Sequence, residues 1–534
     1  MKNKPYPLYT APLIHHLKDL VMYCAQTYKD RTAFQFIQDE KAVTTISYCQ
    51  FMHDINYLGT ALHALGLDHG KAALVGENSY YWIVAYFAIV NGENVVVPLD
   101  PELMEEQLTA LINKTDVQFI ICSKRSLDKI QKVRERLHCQ QIIVLETDLP
   151  QLLQKGQKLI EIGETAYLDI RIQPNRCSTI VYTSGTTCQP KGVILSHKNI
   201  VSDTVASIKS VFFGGTSLLV LPLYHTFAFT ANVLCLLLSG QPISLNRNLR
   251  DLSRDLIRYR PQNMILVPMI VESLYKQIWI KAQKNGKDGR LRKLLKISHL
   301  FMSLGIDLRK SLFSRIHDSF GGRLEFIITG GAPIHEKYIR GFRELGIQVL
   351  NGYGITECSP VLAVNRNHFY RDKSVGQILD SVTLKVDDGE ILVKGDMVAS
   401  GYYEDEEMTV DAFRDGWFRT GDLGYMDEDG FLYITGRKKN IIVLSNGKNV
   451  SPEELEEYLY ALDYVKEAVV YQNGDQIEAE VYIGDNGETN KKRMEEDLKA
   501  INDGLPIYKT ISKVIFRDVE FSKTPTKKIR RTKL

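Results

Sequence analysis

The sequence predicts an α/β fold: a large N-terminal domain of two doubly wound α/β subdomains, then hairpins, then a small α+β C-terminal domain. Three observations predict it. Continuous apolar runs alternate with helical patterns through the first four hundred residues, as strands buried on both faces of a parallel sheet require. After about Gly376 apolar and polar residues alternate between Asp-Gly turns, as in hairpins. Past "GRKKN" a strand, turn and helix follow in "NIIVLSNGKNVSPEELEEYLYAL". A chain of 534 residues also exceeds what one core usually carries.

The elements follow in order. The first series of strands is "AALVGE", "NVVVPL", "QFIICS" and "QIIVLE", with the helix "YYWIVAYFAIVNG" after the first. The second series is "TIVYTS", "SLLVLPL", "MILVPM" and "LEFIITGG". "LKVDDGEILV" and "DEDGFLYI" place Asp-Gly between strands, and "ILVKGDMVASGYY" reads as a further hairpin. Ser451 as N-cap, Pro452 at the first helical position and Glu454 three residues on suggest a capping box. "VKEAVVYQ" and "EAEVYIG" read as strands and "KKRMEEDLKAIND" as a helix. The domains are placed at 1–436 and 437–534. The longest apolar stretch, "SLLVLPLYHTFAFTANVLCLLL", is broken by Pro222, His225 and Asn232, so it reads as strand, turn and helix in place of a membrane span.

Composition narrows the classes. A formal net charge of +2 implies no bulk attraction to nucleic acid or acidic membrane. The eight cysteines are scattered without ligand spacing, which argues against a disulfide framework or zinc site and for a reducing cytoplasm. The start is too polar for a secretory signal. No amphipathic anchor stands out, so any contact with a membrane surface is expected to be transient.

"YTSGTTCQPKGVILSH" (Tyr182–His197) carries the clearest chemistry. Backbone N–H groups of a glycine-containing turn converge on anions. Thr183, Ser184, Gly185, Thr186 and Thr187 add hydroxyls and a permissive backbone, and Lys191 adds a mobile charge. It is not a Walker loop, because Gly192 follows Lys191.

Further signatures follow in order: "GGAP" (Gly330–Pro333), "NGYGITE" (Asn351–Glu357), "RTGDLGY" (Arg419–Tyr425), "ITGRKKNIIVLSNGKNVSPEELE" (Ile434–Glu456) and "TPTKKIRR" (Thr524–Arg531). With the loop, they resemble the adenylate-forming superfamily, and their wording is most like bacterial long-chain fatty acyl-CoA synthetases. The resemblance implies a distorted β-barrel in the large domain and a mobile C-terminal domain. It also implies a fatty acyl-CoA synthetase: ATP activates a hydrophobic acid as acyl-adenylate, and a thiol then displaces AMP. The implied cofactors are ATP, Mg²⁺ and coenzyme A, or the phosphopantetheine of a separate acyl carrier protein.

Roles transfer residue by residue with the resemblance. The loop would grip the β- and γ-phosphates. Gly331, Ala332 and Pro333 would line the adenine and acyl sites. Asn351, Gly352, Tyr353 and Gly354 belong to the nucleotide site, with Tyr353 stacked on adenine. Thr356 would bond a phosphate, and Glu357 would help hold Mg²⁺. Asp422 would accept from the ribose hydroxyls, with Ile434 and Arg437 beside it. Lys439 falls at the hinge, Gly447 at the thiol tunnel and His225 near the carboxylate. Lys528 would reach the α-phosphate, which explains the basic tail without nucleic acid. Two positions depart from the pattern: Cys188 and Lys527 stand where the family often has Gly, so Lys527 competes with Lys528 for that role.

No acidic residue follows "PLYHTF" before Leu238, so an α-amino acid is disfavoured: its ammonium would be buried without a partner. "VPMIVESLYKQIW" and "ITGGAPI" are expected to add to an apolar acyl pocket, open to an alkyl chain or an aryl ring. The sequence runs out after the lysine motif, so the thiol is expected from outside. A carrier-loading adenylation enzyme is the alternative. A dead nucleotide-binding scaffold fits poorly with retained Lys191, Glu357, Asp422, Arg437 and Lys528, and a luciferase-like oxygenase would share the first step.

Overall fold

The structure, a computed structural model, describes residues 8–37, 42–183, 190–445, 448–474, 476–484, 487–523, 529 and 531. The first series of apolar runs builds a six-stranded sheet, joined, against the sequence reading, by "TIVYTS" from the second series, because Thr179 pairs with Val96. Its order is Gln141–Val144, Phe119–Cys122, Lys71–Val75, Val95–Leu99, Cys177–Thr183 and Lys191–Ser196. The first five strands run parallel, and Lys191–Ser196 closes the edge as an antiparallel hairpin. The second series builds a nine-stranded sheet around the parallel strands Gln348–Gly354, Phe326–Thr329, Asn263–Leu266, Ser217–Leu219 and Ile243–Leu245. Its far edge is not local in sequence. Thr32–Ile37 pairs parallel with Ile243–Leu245, so the N-terminal strands complete the second subdomain instead of the first.

The helix Tyr80–Val90 is buried at every position but Tyr81, as its unbroken apolar sequence requires. The stretch after Ser217–Leu219 turns and forms a short helix, Thr226–Phe229, which continues through a π turn at Thr230–Leu234 into Cys235–Leu238. Among the described residues no helix is long and apolar enough to cross a membrane.

Five antiparallel strands make the half-barrel sheet that follows. Thr383–Asp387 and Glu390–Lys394 form the expected hairpin, turning at Asp388-Gly389 with both residues at positive φ. The Gly395-Asp396 segment does not turn back as the alternation suggested. The chain runs on as loop, and Tyr402 bridges to Val193 of the phosphate-loop hairpin.

The C-terminal domain has its own core around Leu455, Leu459, Val470, Ala479 and Ile511, with sheets Ile442–Val443/Asn449–Val450 and Glu467–Asn473/Gln476–Tyr482/Ile511–Arg517. Its helix starts at Pro452 as expected, but the capping box does not form. Ser451 Oγ donates to the Thr435 carbonyl (2.8 Å), and the Glu454 carboxylate accepts from Lys509 Nζ (2.7 Å). The hydroxyl ties the domain back to the strand Leu432–Arg437 and does not cap its own helix.

Candidate active site

Parallel strands bring their ends to one edge of the nine-stranded sheet, the usual place for a ligand in such sheets. Thr329 pairs with Asn351, so Gly330–Pro333 leave the sheet beside Gly352–Gly354, which run on to pair antiparallel with Val361–Val364. Gly354 has a local reason to be glycine: a Cβ there would lie 2.2 Å from the Pro360 carbonyl oxygen. Gly331 lies at φ +84°, and Gly331, Ala332 and Pro333 are exposed, whereas Asn351 is buried and its carbonyl accepts from Asn365.

Tyr353 joins two sites. Its hydroxyl donates to Asp422 Oδ2 at 2.6 Å. Asp422, on Trp417–Met426, is paired across the sheet with Arg437, whose Nε lies 2.8 Å from Asp422 Oδ1. Burial, then the Asp422 charge, pushes the Tyr353 phenol well above its usual range, so it remains a donor. Both Asp422 oxygens thus already accept from protein groups, and ribose hydroxyls would have to share or replace these bonds. Ile434 lies half-buried on the neighbouring strand Leu432–Arg437.

A second polar group holds the flank of the phosphate loop. Thr183 and Lys191 pair across the hairpin. Lys191 Nζ lies 5.3 Å from the Tyr402 ring centroid, and the Tyr402 hydroxyl donates to Glu357 Oε1 at 2.8 Å. The Glu357 carbonyl accepts from Ala399 N, and the Gly192 carbonyl accepts from Tyr403 N. The segment Ala399–Tyr403 therefore stitches the loop hairpin to Glu357. Thr356 opens the 3₁₀ turn Thr356–Cys358 that carries Glu357. Tyr402 was missed from sequence. Its only signal is a tandem tyrosine after glycine, which nothing separates from the other tyrosines among 27.

Beside Tyr353 lies an apolar pocket of about 560 Å³, open mouth included. Phe227, Ala231 and Cys235 line one wall, and Gly330, Gly331 and Tyr353 line another. Val211, Phe213, Val361 and Val364 close it, positions for which the sequence carried no sign. Among the described residues no Asp, Glu, Lys, Arg or His lines it. Asp203 lies behind it in the helix His197–Ser210, fully buried, with Oδ1 accepting from Val361 N, and burial raises its pKa well above the usual range. "VPMIVESLYKQIW" does not contribute. The helix Pro268–Lys284 sends Val271 into a separate core with Phe342 and Leu266, and none of its residues lines the pocket.

His225 precedes the short helix Thr226–Phe229, its ring 4.3 Å from that of Tyr224. Tyr224 and Thr226 line a smaller space of about 310 Å³ with Thr230 and Ser359, across the helix from Phe227. Lys439 is exposed in the turn Lys438–Asn440. Ser184, Gly185, Thr186, Thr187, Cys188, Gly447, Lys527 and Lys528 lie outside the described residues. The segments flanking Thr524–Lys528 are anchored: Lys523 bridges to Ile529, and Arg531 pairs with Glu456.

Residues 22–403 match the family described as AMP-binding enzyme. The chain belongs to this family. A long-chain-fatty-acid–CoA ligase of Mycobacterium bovis is 30% identical over 463 residues, 80% of this chain and 75% of the relative. Long-chain-fatty-acid–CoA ligase 6 of Mus musculus is 29% identical over 488 residues, 83% of this chain and 70% of the relative. Among solved structures, the anthranilate CoA ligase in complex with anthranoyl-AMP superposes with a TM-score of 0.79 at 20% identity, covering 97% of this chain and 96% of that one. O-succinylbenzoate coenzyme A synthetase from Bacillus subtilis in complex with AMP superposes at 0.75 with 21% identity, covering 96% and 97%. The adenylate-forming architecture expected from the motifs is therefore the fold of this AMP-binding enzyme.

Proposed function

We propose that this protein is a fatty acyl-CoA synthetase that joins a hydrophobic carboxylic acid, of medium or long chain, to coenzyme A at the expense of ATP. The observation that carries the reading is one largely apolar pocket, lined among the described residues by no Asp, Glu, Lys, Arg or His, that shares Tyr353 with the Asp422–Arg437 pair. The acid's carboxylate would attack the α-phosphorus of ATP, and pyrophosphate would leave as that P–O bond breaks. The thiolate of coenzyme A would then attack the acyl carbon, and AMP would leave with the electrons of the broken C–O bond.

The first step brings two anions together, so cations and oriented donors must neutralise them. Lys191 and Arg437 would serve here, and Lys528 would complete the set from the C-terminal domain. Glu357 is suited to Mg²⁺, which takes oxygen ligands, usually one or two carboxylates plus phosphates. Bound there, the ion would supply charge neutralisation between phosphate oxygens. Among the described residues no three His, Cys, Asp or Glu converge on a point, which agrees with a site completed by nucleotide. The C-terminal domain, placed at 437–534 with its hinge at Lys439, would move between the two steps.

The relatives at about 30% identity favour a fatty acid. The aryl-CoA ligases among solved structures keep an aryl acid as the second reading. Pyrophosphate release over a panel of fatty, aryl and amino acids, with and without coenzyme A, tests this. Acid-dependent release that peaks with fatty acids and a thioester with coenzyme A are expected. Acyl transfer only to a carrier protein would replace coenzyme A as acceptor, and no release with any acid would overturn the reading.

A further inference from the structure

A helical hairpin far from these groups in sequence carries a surface that the proposed reaction does not use. The helices Pro268–Lys284 and Asp288–Ser303 are joined through Asn285–Lys287. Their inner faces are held by a small core of Leu291, Phe313 and Leu345, with Trp279 and Leu294 packed on it. The outer face is of mixed character. Lys293, Ile297, Leu300 and Leu304 recur at intervals of four, three and four residues, so they form one stripe. Leu300 is 62% exposed and Leu304 66%, and Ile297, Met302 and Ile306 are exposed beside them.

Cations surround this stripe. Between Lys276 and Arg315 the chain has eleven Lys or Arg against two Asp, a net charge of +9 in a protein whose total is +2. Among the described residues none of the exposed Lys281, Lys284, Lys287, Arg290, Lys293 and Lys296 pairs with a carboxylate. The total charge conceals this block, because the rest of the chain is net acidic.

We propose that this hairpin docks the protein on an anionic lipid bilayer, with Ile297, Leu300 and Leu304 inserted among the headgroups and the surrounding lysines and arginines held at the phosphates. An exposed aliphatic stripe among cations is the composition of an interfacial helix, where apolar burial and attraction to acidic lipid act together. Nucleic acid would satisfy the cations but leave the leucines in water. A second copy would bring two blocks of +9 together. The surface stands whichever acid the pocket takes.

Co-sedimentation of the full-length protein with vesicles tests the proposal. Binding is expected with phosphatidylcholine containing about a third phosphatidylglycerol, and at least tenfold weaker binding with phosphatidylcholine alone. Raising sodium chloride from about 0.1 to 0.5 M should release the protein, because screening shortens the reach of surface charge. Leu300→Asp with Leu304→Asp should weaken binding to the acidic vesicles at least tenfold, and so should Lys293→Glu with Lys296→Glu. Both pairs are exposed, so the thermal midpoint should stay within about 2 °C of the parent. Failure to bind acidic vesicles, or parental binding by both variants, overturns the proposal. So does a dimer in sedimentation velocity that Leu300→Asp with Leu304→Asp converts to monomer, because the stripe would then be a self-interface.

Discussion

The polar edge proposed to bind the nucleotide and the apolar pocket proposed for the acyl group meet at Tyr353 but are built on opposite terms. At the nucleotide edge every named polar group already has a protein partner: Tyr353 with Asp422, Asp422 with Arg437, and Glu357 with Tyr402. The pocket's walls are mostly apolar, and among the described residues none of them is charged. The first is held by bonds that a ligand must exchange, the second by packing that a ligand only has to fill. Substitutions should therefore be felt differently on the two sides.

The largest effect is expected from Asp422→Ala. It leaves a buried phenol and a guanidinium without their acceptor as well as removing the ribose contact. A loss on the order of 10³ in kcat/KM for ATP is expected, about 4 kcal/mol, read by pyrophosphate release. A loss under tenfold would break the comparison, since the pairs would then be incidental. Next comes Ala231→Phe, which fills the pocket from one wall. The acid KM should rise by about 10²-fold while the ATP KM changes less than about threefold, a split that uniform damage to the fold would not give. Tyr402→Phe removes one hydroxyl from Glu357 and keeps the ring over Lys191. A fall of about tenfold in activity is expected, near 1.4 kcal/mol for one hydrogen bond to a charged group. A higher magnesium requirement should accompany it. Parental magnesium dependence would separate Tyr402 from the phosphate end.

A separate test, on stability instead of activity, concerns the pocket wall itself. His197 opens the helix that carries Ser207 into the pocket, and burial depresses its pKa to about 3. Between about pH 3 and 6.5 the unfolded chain therefore holds a proton that the folded chain does not. Stability should fall on acidification through this window, by about 1.4 kcal/mol per pH unit once well below 6.5. Burial lowers the pKa of neighbouring His16 as well, which acts in the same direction. His197→Gln should flatten the slope in chemical unfolding at pH 5 to 7. An unchanged slope would place the acid sensitivity elsewhere.

The strands were legible because burial on both faces leaves unbroken apolar runs such as "QFIICS" and "MILVPM". The sheet assignment of Thr32–Ile37 was not, since its partner lies two hundred residues away and any apolar strand would serve as well. Tyr353, Asp422 and Lys191 stood out through the residues beside them in sequence. Tyr402, Val211, Phe213 and Val361 had no such company, and they reach the site only because the chain folds back on itself. Ser451 shows the opposite error: a good local cap was overruled by a carbonyl from another strand.

By itself the sequence determined the α/β class, the order of the motifs and the absence of a carboxylate from the apolar run after Tyr224. These depend on periodicity and neighbouring residues, which are local. The tertiary structure alone decided that Tyr353 donates to Asp422, that Tyr402 links Lys191 to Glu357, and that a pocket lined by no described carboxylate opens beside Tyr353. Each of these joins segments tens to hundreds of residues apart, and a hydrogen bond or a cavity wall depends on position in space, which no local pattern encodes.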